Sequence, residues 1–198
     1  VTITNFELNG SPDISGGIAI GSGGDETADD DNYDNLFADI TISGITTNIT
    51  NPKGLIYLNY SNRTTLLNIN ISPHDFRHTI WDTAADQAAK EFQNYLIFNN
   101  THAKLSYTYP PFTSNITVRG NLTYGRTGHP INLSDNAISL NTRLLPDLNV
   151  SANLTLRGSP GAALLRPNIT RDSIICSDYT TPSCYNFTAL TAAEVIFN

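Results

Sequence analysis

The chain has 198 residues, 18 acidic against 11 basic, and a net charge of −7. That balance repels phosphate backbones and anionic membrane surfaces, so nucleic acid is excluded as an expected partner. No apolar run approaches the ~18 residues of a membrane-spanning helix, and the length suffices for one sizeable core of the kind all-β domains build.

The chain opens at Val1 without Met or an apolar leader and reads as a processed chain or a fragment. Residues 1–9 read as an N-terminal strand or arm. Val1 and Ile3 lie on one parity and Phe6 and Leu8 on the other, which requires a register change near Thr4-Asn5. Residues 10–37 follow as a Gly-, Asp- and Ser-rich linker with an apolar island at Ile18 to Ile20. Such a linker either packs along its own domain or is ordered by a neighbouring molecule.

Residues 38–198 are expected to form one domain that is mainly β: an antiparallel β-sandwich with a single amphipathic helix. Strands are predicted at 40–50, 55–60, 65–71, 103–109, 115–124, 137–145, 148–156, 173–176 and 194–197, separated by turn signals such as Asn51-Pro52, Pro110-Pro111 and Ser159-Pro160-Gly161. Within the first of these the inward set changes parity across Ser43-Gly44, which a bulge explains. Trp81, Ala85, Ala88, Ala89, Phe92, Tyr95 and Leu96 recur at intervals of three and four, predicting a helix near 81–97 that caps the sandwich. Cys176 and Cys184 are close enough in sequence to close a disulfide loop and are expected to pair in an oxidising compartment.

Thirteen asparagines stand in the N-x-S/T acceptor pattern: Asn9, Asn48, Asn59, Asn62, Asn70, Asn99, Asn115, Asn121, Asn132, Asn149, Asn153, Asn168 and Asn186. Random placement of 23 Asn and 39 Ser or Thr predicts about 4 to 5 such triplets, so most are in excess. In ten of the thirteen the middle residue is apolar or aromatic. On a strand, residues i and i+2 share one face, so the acceptor and its hydroxyl face out while the middle residue faces in. The alternation is unbroken from Leu148 to Leu156 and runs inward through Ile116, Val118, Leu122 and Tyr124. A one-sided antiparallel sheet gives this pattern. The expected compartment is therefore secreted, extracellular or cell surface.

Chemistry is sparse by comparison. The acidic run Asp25, Glu26, Asp29, Asp30, Asp31 and Asp34 reads as a solvated linker, with a Ca²⁺ site on Asp29, Asp31 and Asp34 as the alternative. His74 and His78, with Asp75 beside the first, have a spacing that suits a metal only on a shared helical face, and Pro73 favours a turn. The sequence contains no nucleophile elbow, P-loop, dinucleotide fingerprint or C-x-x-C pair. No enzyme and no cofactor beyond N-linked glycans are expected.

The acceptor-free stretches 10–47 and 71–98 are where a protein partner still has access. An arm of Val1, Ile3, Phe6 and Leu8 that adds a strand to the next copy makes a head-to-tail contact, and repetition of it builds a filament of identical subunits. With its acceptor sites, that arrangement resembles the donor-strand-linked surface filaments of archaea and, more distantly, chaperone–usher pilins. The resemblance covers architecture, mainly residues 1–60. Residues 49–57, with Asn51-Pro52 at their centre, are similar to the strand junction of type-2 late embryogenesis abundant domains, also β-sandwiches. The expected function is a structural subunit of an extracellular filament; the alternative is a secreted carbohydrate-binding or adhesive module using Trp81 for stacking.

Overall fold

The structure, a computed structural model, describes residues 2–4, 7–9, 18–21, 32–44, 54–59, 61–72, 78–82, 94–107, 118–125, 128–157, 170–171, 174–175 and 194–197. It is mainly β, in several sheets. In chain order the first strands are β1 (Thr2–Thr4), β2 (Glu7–Asn9), β3 (Ile18–Gly21), β4 (Asn32–Tyr33), β5 (Leu36–Ala38), β6 (Thr41–Ser43), β7 (Gly54–Asn59), β8 (Ser61–Asn62), β9 (Thr65–Leu67), β10 (Asn70–Ile71), β11 (His78–Asp82) and β12 (Tyr95–Asn99).

These twelve wind in coils. β1, β5, β9 and β12 pair in parallel in one sheet, β2, β6 and β10 in a second, and β3, β7 and β11 in a third, with β4 and β8 as a further parallel pair. The chain thus visits three walls in turn and returns to the first one strand further along, the winding of a solenoid. Register is strict on the first wall, where Leu36, Thr65 and Tyr95 align, as do Phe37, Leu66 and Leu96. Phe37, Leu66 and Leu96 are buried, so each coil repeats the same inward position. Burying each such side chain contributes roughly 1.5–3 kcal/mol.

The corners between walls use the left-handed backbone region. Asp39 (φ 54°) and Asn68 (φ 55°) separate β5 from β6 and β9 from β10, and Asp34 (φ 56°) and Arg63 (φ 54°) precede β5 and β9. A left-handed corner costs a non-glycine residue about 1–2 kcal/mol. Bonds between coils offset it. Asn68 Nδ2 donates to Asp39 Oδ1 at 3.0 Å, Asn99 N donates to Asn68 Oδ1 at 2.7 Å, and Arg157 Nη1 donates to Asn99 Oδ1 at 2.8 Å. A second, buried set runs from Asn35 Nδ2 to Thr64 Oγ1 at 3.4 Å and from Thr64 N to Asn94 Oδ1 at 3.0 Å.

After β12 the chain reverses. β13 (Ala103–Tyr107) pairs antiparallel with β12. Asn100 makes the turn, its Oδ1 accepting from His102 N at 2.8 Å and Ala103 N at 2.9 Å. Val118 and Leu122 then bridge antiparallel to Ile80 and Ile71, which closes the third and second walls in turn. β14 (Tyr124–Gly125), β15 (Ile131–Ser134) and β16 (Ala137–Leu140) form a separate three-stranded sheet. A 3-10 turn at Pro146–Leu148 leads to β17 (Asn153–Arg157), which pairs antiparallel with β13. β18 (Thr170–Arg171) and β19 (Ile174–Ile175) pair with each other, and β20 (Glu194–Phe197) extends the first sheet beyond β17. One core joins both halves, from Ile40, Ile42, Leu55 and Ile69 to Leu105, Tyr107, Leu133 and Leu148.

Several expectations change. The antiparallel pairing expected of a sandwich does not describe the ladders that β1 to β12 make with one another, which are parallel; short corners hide the wall-to-wall winding, because each wall by itself alternates like a one-sided strand. Of the helix expected near 81–97, residues 81–82 lie in β11 and 95–97 in β12, and 83–93 fall outside the described residues. There the alternation of buried Leu96 and Phe98 with half-buried Tyr95 and Ile97 prevails over the three-and-four spacing. The strand expected at 65–71 is two strands broken at Asn68, and at the expected bulge β6 ends at Ser43, followed by Gly44 at φ 62°. Residues 18–21 and 32–37, placed in the linker by composition, include β3, β4 and part of β5, so those parts pair within their own chain.

Candidate functional site

The acceptor asparagines spread over both halves. Asn9, Asn59 and Asn62 end β2, β7 and β8, Asn99 ends β12, and Asn70, Asn132 and Asn153 lie in β10, β15 and β17. Asn121 and Asn149 are exposed between elements. Asn48, Asn115, Asn168 and Asn186 lie outside the described residues, as do both cysteines, Cys176 and Cys184. The middle residues Ile71, Leu122 and Leu133 are fully buried beside more accessible acceptors. β17 departs from the rule, because Thr155 is buried while Leu154 is only half-buried; Val150 is 43% exposed. Asn70 Oδ1 accepts from Tyr124 N at 3.2 Å and Asn99 Oδ1 from Arg157. Both bonds use the amide oxygen, whereas N-glycosylation takes the nitrogen.

Of the arm, Ile3 lies in β1 and Leu8 in β2; Val1 and Phe6 lie outside the described residues. β1 pairs with β5, and β2 with β6. Among the described strands, β1, β2 and β3 stand at the outer edge of their three sheets.

Asp34 of the Ca²⁺ alternative forms a two-pronged ion pair with Arg63, at 2.7 Å from both Nε and Nη2; Asp29 and Asp31 lie outside the described residues. The bonded guanidinium holds the Asp34 carboxyl below its ordinary range. Among the described residues no three His, Cys, Asp or Glu side chains gather as metal ligands. His78 lies in β11, and its neighbours in that expectation, His74 and Asp75, lie outside the described residues. No helix among the described residues is long and apolar enough to cross a membrane.

The structure brings together a group that spacing does not reveal. Trp81 of β11 is the register partner of Tyr57 of β7, their ring centroids 5.6 Å apart and tilted by 52°, and the His78 ring lies 5.6 Å from that of Trp81. Tyr57 lies between Ile56 and Leu58, which are buried; being itself half-buried, it faces outward with Trp81. Gly54 makes room for the pair, since a Cβ there would meet Trp81 Cβ at 2.8 Å. A second ion pair, Arg119 with Asp147, closes at 2.6 Å and 3.0 Å, and Arg119 N also donates to Asp147 at 3.0 Å. The Asp147 carboxyl is held low first by its bond to Arg119, with a smaller contribution from the charge of His78. The arrangement offers an outward aromatic pair on β7 and β11. No family model, curated protein or solved structure matches the chain.

Proposed function

We propose that this chain belongs to an extracellular, N-glycosylated structural protein, a subunit that joins copies of itself by β-strand addition at its N-terminal strands. The observation that carries the reading is the excess of acceptor triplets, thirteen where chance gives about 4 to 5. Stacked coils serve it in place of a two-sheet sandwich, since a solenoid is a rigid rod with a repeating edge. Assembly is supported by β1, β2 and β3 each standing at the edge of its sheet among the described strands, a place where unpaired backbone groups template another strand. In this version the arm stays on its own chain and offers its outer edge.

Electron microscopy of the secreted chain tests it. Successive N–H groups of a strand point to opposite sides, so one of the variants Ile3→Pro and Thr4→Pro removes an outward donor. Fibres lost in one of the two, with the monomer's melting temperature kept, support strand addition. A monodisperse monomer at every concentration of the unaltered chain contradicts it. The Tyr57–Trp81 pair favours a second reading, an adhesive module that stacks a sugar, and a glycan array reads that directly.

A further inference from the structure

The coil stack has two ends, and they differ. At one, β1, β2 and β3 are the outermost described strands of their sheets. At the other, β10 and β11 are outermost on the second and third walls, and the segment 118–122 bridges to both. Asn70 N and Ser72 N donate back to Ile40 O and Ile42 O of the coil before, while Ile71 N, between them, points the other way and donates to Leu122 O at 2.7 Å. On β11, Val118 O accepts from Thr79 N at 2.6 Å and from Ile80 N at 3.2 Å, and Val118 N donates to Ile80 O at 3.0 Å. A further coil would use such outward groups, as Leu67 O and Ile97 O of the following coils accept from Asp39 N and Asn68 N.

The segment is also held from outside. Arg119, between the two bridges, is clamped to Asp147 through its N, Nε and Nη2. Gly120 follows at φ 90°, where a Cβ would meet Leu144 O at 2.8 Å, and its carbonyl accepts from Thr79 Oγ1. We propose that residues 118–122 are a removable cover over the outer edges of β10 and β11, and that the partner those edges fit is a second copy of this chain, whose β2 and β3 continue the parallel columns. The inference rests on the self-assembly reading and gives the N-terminal strands their acceptor. Register supports this partner: positions 8, 42 and 71 align in one column and positions 18, 56 and 80 in the other, so the first coil of a new copy repeats the pattern of the edge it meets. Val118 and Leu122 are fully buried, so the covered form dominates in a single chain.

Light scattering over a concentration series of the secreted chain tests this, with folding checked by melting temperature. Arg119→Gln removes two of the three bonds to Asp147 and leaves both edges intact. Gly120→Ala unseats the segment at its middle, and Arg63→Gln, the control, breaks the two-pronged ion pair to Asp34 instead. An apparent dissociation constant about tenfold lower in Arg119→Gln, in step with a tenfold larger uncovered population, and unchanged in Arg63→Gln supports the proposal. Gly120→Ala is expected to exceed that effect where it folds; where it does not, Arg119→Gln decides alone. In the Arg119→Gln chain, one of Glu7→Pro and Leu8→Pro then restores the weaker association, since one of them removes an outward donor of β2. A folded Arg119→Gln chain with unchanged association overturns the proposal, and fibres of the unaltered chain that Ile3→Pro or Thr4→Pro abolishes would then leave N-terminal strand addition standing. Tighter association that neither β2 variant reverses also overturns it. Chains that stay monomeric at every concentration overturn both readings.

Discussion

Residues 32–99 and residues 103–157 reach the same core by opposite routes. In the first, strands pair in parallel, with partners on the first wall 29 or 30 positions away, and the left-handed corners are bridged from one coil to the next by Asp39, Asn68 and Asn99. In the second, antiparallel pairs predominate and one of them is a local hairpin: β15 and β16 are joined at Asp135-Asn136, with Asn136 at φ 57°. A left-handed asparagine in a hairpin answers to its own turn. The same conformation in a coil is supported by the coils on either side, so stability there depends on the stack.

The largest expected effect tests whether the halves are energetically one. Phe98 is fully buried on β12, the strand with a parallel neighbour on one side and an antiparallel neighbour on the other, and its ring lies 5.5 Å from that of Tyr124. Phe98→Ala is expected to cost about 3–5 kcal/mol in urea unfolding, with both halves melting in one transition. Two separate transitions would show that the coils and the antiparallel strands fold independently.

Next comes the contrast between corners. Asn68→Ala loses the bonds on both sides and places alanine in the left-handed region, a combined loss of about 2–4 kcal/mol. Asn136→Ala should lose only about 1–2 kcal/mol, from backbone strain alone. Glycine separates the two contributions: Asn136→Gly is expected to be close to neutral, and Asn68→Gly still destabilises through the lost rungs. Equal losses at the two sites would remove the distinction between a stacked corner and a hairpin turn.

A smaller effect is expected in the antiparallel half. Tyr107 is buried on β13, its hydroxyl donating to the Leu148 carbonyl at 3.1 Å, and burial pushes its ionisation well above the ordinary tyrosine range. Tyr107→Phe keeps the ring and removes the bond, at about 1 kcal/mol by chemical denaturation. The smallest effect is electrostatic. The Asp147 carboxyl titrates below its ordinary value in the folded chain, so the unfolded chain binds more protons over the interval between the two values. That stability is present above the unfolded value, near pH 4, and is lost as pH falls through the folded value. Arg119→Gln should lower the melting temperature at neutral pH and flatten its fall in acid; an unchanged acid profile would show that the ion pair contributes nothing.

Much of the β content was legible in residue alternation, and the strand at 194–197 coincides with β20. The winding was legible too, though only by comparing the chain with itself. Asp39-Ile40-Thr41-Ile42-Ser43 and Asn68-Ile69-Asn70-Ile71-Ser72 repeat an Asn or Asp followed by alternating apolar residues, 29 positions apart, and Asn5-Phe6-Glu7-Leu8-Asn9 has the same form. The parity break across Ser43-Gly44 is therefore the mark of a corner, with Gly44 at φ 62°. Local alternation alone cannot tell a coil wall from a sandwich strand, because both bury one face. The Tyr57–Trp81 pair was not legible, since it depends on the register of β7 against β11, and no feature of either residue sets that register. Nor does spacing indicate that Arg63 would close on Asp34 one coil away.

Engineered disulfides measure the coil register directly. Leu36 and Thr65 are aligned on β5 and β9, about 4.8 Å apart across a ladder, within the span a disulfide accepts. Leu36 and Leu67 share that face but are offset by two residues, which puts them about 8 Å apart, beyond its reach. The account predicts that Leu36→Cys with Thr65→Cys oxidises to a linked peptide identified by mass spectrometry, while Leu36→Cys with Leu67→Cys remains reduced. A link in the offset pair and none in the aligned pair would contradict the stacked coils.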